Sequence, residues 1–506
     1  MTDTRRPPAP EETAAGEPLA DRGPDRRPAD RGAERPGSGG LLTVRPLEAL
    51  PDLDGLRPGD LEPGGRHALE EIITSLPVTE FLGRHWGRDC HLDPGDPADP
   101  GRFHRLLPWP ELDRLLDGHR AWPLRMQVAR GNASLPPSSY LETIPGRGVG
   151  REPAMRVSSA KLHARLREGA TLVFGSVDEA VPAVRELAER LEHDLRAEVF
   201  VNLYASWGQV GAFDPHWDDH DGIILQVYGR KEWRLYGVGR PVPLPGDGPL
   251  NECPPRPLRE FELTEGQALY VPRGHWHAVR PVGGTTVHLT FGIRRPVVRD
   301  LLRWAVDRQL NDPDARFDLP LGGWDDELAG RLSRLLGGIG ELLGADGFGR
   351  YVAERDGRAA ARPRHLLPHA VTDLSGGCPP DAVVVLAAPR PVARGGDGHR
   401  LTLLSGGLRY DFDARCEPLL RRLLGRRPWR AGDLAREAAA DGGPDADECR
   451  RLVAELLGHG LLRFGTAPAA PAASDRPYGG PHGEGLGGRH DDWSGGRSDR
   501  QEEERR

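Results

Sequence analysis

Residues 214–236 read DPHWDDHDGIILQVYGRKEWRLY. His216, Asp218, Asp219, His220 and Asp221 crowd around Trp217, and an apolar run follows. On a β-strand, alternate residues share one face and lie roughly 6.6 Å apart. Metal–ligand bonds are about 2.0–2.2 Å long, so His216 and Asp218 can converge on one ion. His220 shares their face but starts about 13 Å from His216 on a straight strand. It joins the same coordination sphere only if the chain turns sharply. Asp219 and Asp221 point to the opposite side. The stretch therefore offers one imidazole and one carboxylate, and a third ligand must come from elsewhere.

The next histidine-rich segment is QALYVPRGHWHAVRP, residues 267–281, another strand–turn–strand pattern. Its candidates are His275 and His277, with His288 on the strand that follows. Two imidazoles and one carboxylate leave three positions of an octahedron open, the arrangement of non-haem Fe(II) oxygenases, whereas zinc prefers a closed tetrahedral set or three ligands plus one water. Open positions on iron accept a bidentate cosubstrate. 2-Oxoglutarate would chelate through its keto acid, and its far carboxylate would need a cation. Lys231 comes just after the strand GIILQVYG and is one of only two lysines, with Lys161, in a chain that otherwise uses arginine. An ammonium is a compact point charge on a flexible stem, unlike the planar fork of arginine.

Around this centre the chain is long for one core: 506 residues imply two to four domains. A net charge of −8 gives no general attraction to nucleic acid or anionic membrane. Five scattered cysteines, with no CxxC pair, fit neither a disulfide framework nor a zinc ribbon and suit a reducing cytoplasm. No apolar window is long enough to span a bilayer. The N-terminus has neither a secretory signal nor the acid-poor texture of a transit peptide.

Residues 1–40 and 466–506 are rich in Pro, Gly, Arg and acidic residues with almost nothing apolar, so both ends are expected to be disordered tails. Residues 65–200 mix helix and strand signals. HALEEIITSLPVTEFLGRHW (67–86) begins helical, TLVFGS (171–176) reads as a short strand, and DEAVPAVRELAERLEHDL (178–195) is an amphipathic helix. From Val199 to Ile293 six short strand signals separated by Gly and Pro turns predict an antiparallel barrel or sandwich. Residues 296–370 are helical, with wide apolar stripes on VVRDLLRWAVDRQL and DELAGRLSRLLGGIGELL that suit a dimer interface or packing on their own domain. Residues 398–465 give a strand pair, three helices and a closing strand, a winged-helix order. Its candidate recognition helix mixes Arg450 and Arg451 with Asp447, Glu448 and Glu455. It lacks the single basic face that phosphate contacts need, so nucleic-acid binding is not expected.

The stretches NLYASWGQVGAFDPHWDDHDGIILQVYGRKEWRLY (202–236), LTEGQALYVPRGHWHAV (263–279) and VHLTFGI (287–293) resemble the JmjC-type, cupin-like ribosomal oxygenases. The likeness continues through EFLGRHWGRD (80–89) and LHARLREGATLVFGS (162–176) and covers roughly residues 65–465. It implies a mainly β double-stranded β-helix (65–295, with an α/β N-terminal flank), a helical dimerisation region (296–370) and a winged helix (398–465). It also implies Fe(II), 2-oxoglutarate and O2 as reactants. Carried over residue by residue, His216 and Asp218 match the metal HxD. His277, not His275, matches the distal histidine of the Gly-x-x-His turn, and Lys231 matches the cosubstrate cation. Asn202 and Tyr204 match a pair lining the cosubstrate and substrate pocket. Members hydroxylate Arg or His side chains of ribosomal proteins. The chain departs from the pattern in its long ends, in the Pro-rich 237–262 segment and in the bulk of Trp217 and Trp276.

The expectation is thus an Fe(II)- and 2-oxoglutarate-dependent dioxygenase acting on a ribosomal protein side chain, a cytoplasmic homodimer without membrane attachment. Two alternatives stay open. One keeps the chemistry on a small molecule or peptide natural product. The other is a non-catalytic cupin scaffold that binds a protein partner.

Overall fold

The computed structural model describes residues 40–47, 67–117, 125–145, 153–344, 346–365, 373–395 and 400–465. The expected tails therefore lie outside the described residues, Gly40 excepted. In chain order the N-terminal part supplies β1 (Leu42–Pro46), α1 (Val78–Arg84), β2 (His91–Asp93), α2 (Trp109–Asp117), β3 (Met126–Arg130) and β4 (Ala133–Ser134). It continues with β5 (Leu141–Ile144), β6 (Ala154–Val157), α3 (Ser159–Arg167), β7 (Thr171–Phe174) and α4 (Pro182–Leu195). The strand-rich zone holds β8 (Glu198–Ser206), β9 (Asp221–Tyr228), β10 (Arg230–Val238), β11 (Arg259–Thr264), β12 (Ala268–Val271), β13 (His275–Pro281) and β14 (Thr286–Arg294).

These strands form two antiparallel sheets. The larger runs β2-β12-β9-β14-β8-β7-β3-β4, and the smaller runs β11-β10-β13. Alternation decides which face is which. In EVFVNLYAS, Val199, Val201, Leu203 and Ala205 are buried in one core with Val184, Leu187, Ala188 and Leu191 of α4. The alternate residues Phe200, Asn202, Tyr204 and Ser206 consequently share the opposite face, toward the smaller sheet. β9 is central and buried throughout all but its last residue, which is why residues 222–225 form a continuous apolar run rather than an alternating one. Gly229 makes the turn into β10 at φ 63, where a side chain would meet the Thr285 carbonyl. That turn reverses the chain from the large sheet to the small one and so sets the position of Lys231.

All six strand signals from Val199 to Ile293 correspond to strands. β11 (REFELT) had no such signal, because as an edge strand it buries only Leu263 fully and is otherwise charged. The sequence 214–220 is not a strand: His216 makes one isolated antiparallel bridge to His277, and the chain bends before β9 begins at Asp221.

Beyond the barrel lie α5 (Val298–Asp307), α6 (Asp326–Leu342) and α7 (Gly347–Gly357). The remainder comprises β15 (Val383–Leu386), β16 (Val392–Gly395), β17 (Arg400–Ser405), β18 (Leu408–Asp413), α8 (Glu417–Leu424), β19 (Trp429–Arg430), α9 (Ala431–Ala440), α10 (Ala446–Gly458) and β20 (Leu462–Phe464). The strand pair and helices read from 398–465 are present, but they do not close on themselves. β15 is the centre of the sheet β19-β15-β20, and β1 from the far N-terminus adds to β18 in the sheet β1-β18-β17-β16. Leu41 is buried in the same core as α8, α9 and α10. The unit thus draws on residues before 398, because pairing β18 and covering that core recruit strands distant in sequence. Among the described residues no helix is long and apolar enough to cross a membrane.

Candidate metal centre and its cavity

The isolated bridge does what strand alternation alone could not. The His216 amide donates to the His277 carbonyl at 3.0 Å, and the His277 amide donates back to His216 at 2.8 Å. This pairing places two imidazoles side by side, with ring centroids 4.4 Å apart. Asp218 follows, held by the Gly274 amide, which donates to its carbonyl oxygen at 2.9 Å. Gly274 has φ +77, and a Cβ there would collide with the Arg240 carbonyl, so this turn requires glycine. Asp218 carboxylate oxygens lie 4.0 Å from His216 Nε2 and 3.6 Å from His277 Nε2. One ligand atom from each of His216, Asp218 and His277 falls within 4.8 Å of the others.

The ring orientations fit a metal. His216 Nδ1 lies 2.8 Å from the Asp214 carbonyl oxygen and His277 Nδ1 lies 3.0 Å from the His275 carbonyl oxygen. A carbonyl only accepts, so each Nδ1 carries the proton and each Nε2 lone pair faces its neighbours. Burial, with His216 adding to it and Asp218 opposing, pushes His277 down to about 4, which keeps that imidazole neutral. Burial works to raise the Asp218 carboxyl, but His277, His220 and His216 outweigh it and hold it below the usual carboxylate range. A neutral His277 imidazole and an ionised Asp218 carboxylate are donor forms a divalent cation needs.

The three residues open onto a cavity of about 460 Å³ whose walls include Tyr204, Trp233, Ile224 and His288. At another point on its lining is Lys231, which is 2 % exposed. Its ammonium meets the Tyr204 carbonyl oxygen at 3.3 Å, and burial pushes its pKa down to about 7. Thr171 and Ser206, also on the lining, share a hydroxyl–hydroxyl bond of 2.8 Å. A cavity bearing a chelating set and a buried, weakly partnered cation suits an anion that reaches from one to the other.

Most sequence candidates meet here. Tyr204 lines the cavity, and burial first, then the Asp218 charge, raise its hydroxyl to about 12. Asn202 shares its face but is not among the lining residues; its Oδ1 accepts from the Ser176 amide at 3.2 Å. His220 lines the cavity yet stands outside the three-residue set, its Nδ1 3.1 Å from Asp219 Oδ1. His275 is buried outside the cavity lining, whereas His288 lines it, stacked on Tyr204 at 4.8 Å. Asp221 is wholly buried away from the site, accepting from Tyr270 and paired with Arg295 at 2.6 Å. Residues that sequence reasoning passed over are Asn132, Thr171, Ser206, Asp214 and Trp233. The dipeptide Gly131–Asn132 was a usable hairpin signal. The others have no local signature, since their place on the cavity comes from strand register.

Residues 180–301, the stretch that carries most of this site, match the JmjC domain family. Among curated proteins the chain is similar to the bifunctional lysine-specific demethylase and histidyl-hydroxylase NO66 of Drosophila persimilis. They are 24% identical over 231 residues, 45% of this chain and 31% of that protein. It is likewise similar to ribosomal oxygenase 1 of Rattus norvegicus, 26% identical over 251 residues, 48% of this chain and 39% of that one. The match thus spans about a third of the length of such relatives. A solved structure of YcfD, a ribosomal oxygenase from Escherichia coli in complex with cobalt and 2-oxoglutarate, aligns with TM-score 0.43 at 17% identity, covering 78% of this chain and 99% of that one.

Proposed function

We propose that this protein is an Fe(II)- and 2-oxoglutarate-dependent dioxygenase that hydroxylates an Arg or His side chain of a ribosomal protein. The observation that carries the reading is one cavity lined by both the His216–Asp218–His277 set and the buried cation Lys231. When bound, Fe(II), 2-oxoglutarate and O2 would supply the oxidation of an unactivated C–H bond coupled to decarboxylation of the cosubstrate. His216, Asp218 and His277 would hold the metal. Lys231 would neutralise the far carboxylate, in a pocket where an unpaired charge is costly. Tyr204 and Trp233 would orient the cosubstrate and keep bulk water from the reacting end. Asn202 would act at one remove, bracing the Ser176 turn beside β8.

The substrate assignment follows the relatives' names, and the C-terminal unit supports a macromolecular partner. Three helices with the antiparallel sheet β19-β15-β20 agree with a winged helix. In α10, Arg450 is engaged with Asp447 at 2.7 Å, and Asp445 and Glu448 form the capping box, so the helix favours protein contact over a nucleic-acid groove. Among the described residues of α6 none is fully buried, and Val298, Leu302, Val306 and Leu310 form an exposed apolar stripe at helical spacing from α5 onward. A second copy of the chain would cover them. All five cysteines are free, which supports a cytoplasmic setting.

Intact-mass comparison of ribosomal proteins from parental and deletion strains tests the function. A single protein lighter by one oxygen in the deletion strain is expected. Unchanged masses would favour a small molecule or peptide as substrate. Failure of the purified chain to bind 2-oxoglutarate in the presence of Mn(II) would instead favour a scaffold. For the dimer, Leu302→Glu with Val306→Glu should convert the sedimenting species to monomer; a wild-type chain already monomeric would refute it.

A further inference from the structure

The hairpin β3–β4 lies on the far edge of the large sheet, yet its turn reaches the metal side. Gly131 and Asn132 both have positive φ, 55 and 65, the paired left-handed conformation of a two-residue type I′ turn. From this turn the Gly131 amide donates to the Gly211 carbonyl and the Asn132 amide to the Ala212 carbonyl, each at 3.0 Å. The Asn132 side chain continues the contact. Its Nδ2 donates to Asp214 Oδ2 at 2.7 Å, and its Oδ1 accepts from the Asp214 amide at 3.4 Å. Four hydrogen bonds therefore hold residues 211–214, a stretch with no strand pairing of its own. The next carbonyl along is that of Asp214, the group that accepts from His216 Nδ1 at 2.8 Å.

We propose that Asn132 is a positioning residue for the metal centre, acting through Asp214 on the ring of His216. The inference rests on the reading of His216 as a metal ligand. An imidazole ligand needs its far nitrogen anchored to keep tautomer and orientation. Here the anchor is a backbone carbonyl on an irregular, solvent-facing segment, which by itself would let the ring swing. The two-point Asn132–Asp214 contact holds the amide and the side chain of Asp214, and so the Cα that bears the carbonyl. His277 needs no such brace, because its anchor, the His275 carbonyl, belongs to β13 itself. The two histidines thus reach one geometry by different means, one through a sheet and one through a side-chain clamp. Asparagine suits the role because it tolerates φ > 0 and carries both a donor and an acceptor.

The test is Mn(II) affinity of the full chain without cosubstrate, measured beside its thermal stability. Asn132→Gly keeps the turn and removes the clamp. It should weaken Mn(II) binding by up to about tenfold, the lower end of the effect of partners that orient metal ligands, with the melting temperature nearly unchanged. Asn132→Asp sets two carboxylates face to face and should weaken it at least as much. Combining it with Asp214→Asn reverses donor and acceptor and should restore affinity to within about twofold, since only coupled neighbours show such non-additivity. Wild-type Mn(II) affinity in Asn132→Gly, or a double variant no better than Asn132→Asp, would overturn the clamp while leaving the metal site standing. A substrate KM that rises with Mn(II) affinity intact would overturn it too, making Asn132 a substrate contact. No Mn(II) binding by the wild type would overturn both.

Discussion

Two clusters of buried charge in this molecule are built on opposite plans. Behind α4, Arg362 is shared between Asp178 at 3.1 Å and Glu192 at 2.8 Å, and Arg390 between Glu192 at 2.7 Å and Asp356 at 3.0 Å. Arg463 of β20 reaches Glu189 at 3.1 Å. Each charge there has an opposite charge within contact distance, and the network ties α4 to α7 and to the C-terminal unit. Around the candidate metal centre the arrangement is different. Lys231 meets no carboxylate among the described residues, and Asp218 stands 3.6 Å from His277 Nε2 and 4.0 Å from His216 Nε2, beyond hydrogen-bond distance. Saturated charge of the first kind holds elements together. Under-partnered charge around a cavity costs stability, and its physical use is to receive a ligand that completes it.

Substitutions distinguish the two clusters, beginning with the largest effect. Asp218→Ala should reduce conversion of 2-oxoglutarate to succinate to background, with the melting temperature unchanged or raised. Retained turnover would remove Asp218 from the metal set. Lys231→Met should raise the KM for 2-oxoglutarate about tenfold to a hundredfold, the value of a hydrogen bond to a charged group, about 1.5–3 kcal/mol. The same change should stabilise the unliganded chain, since it removes an unpaired buried ammonium.

Glu192→Ala should do the reverse. It should destabilise the fold by about 3 kcal/mol, the low end for breaking a buried ion pair because Arg362 and Arg390 each keep a second carboxylate. Turnover per folded molecule should persist. A Glu192→Ala protein with wild-type thermal stability and impaired Mn(II) binding would erase the distinction between the two clusters.

The smallest effect concerns protons. The folded pKa of Lys231 is pushed to about 7, below that of a lysine in the unfolded chain. Between these two values the unfolded chain binds more protons than the folded one. The contribution of Lys231 to stability therefore rises with pH across that window, and below it the full cost of a buried ammonium is present. A carboxylate arriving at Lys231 favours the charged form, so 2-oxoglutarate binding above about pH 7 should take up a proton. Calorimetry at pH 8 in buffers of different ionisation enthalpy measures this uptake, and Lys231→Met should abolish it.

Much of the site was legible in the primary structure. The HxD tripeptide beside an apolar run, a second histidine segment sixty residues on, and a rare lysine after the first strand all depend on residue chemistry and strand period. Those properties are local, so they survive without coordinates. Strand alternation alone nonetheless does not join His216 to Asp218, because the segment bends and makes a single bridge instead of running as a strand. The choice among His275, His277 and His288 rested on family likeness, and it is the bridge register that brings His277 to the set.

By itself, then, the sequence determined the candidate donor residues, the antiparallel strand zone and the helical texture that follows, since alternation and composition act over a few residues. Tertiary structure alone decided the rest. It set which histidine faces Asp218, how deeply Lys231 is buried, and that a hairpin turn some eighty residues away steadies His216. It also drew β1 and β15 into the C-terminal unit. Each of these depends on strand register or on contact between distant segments, and neither is encoded in any one short stretch of chain.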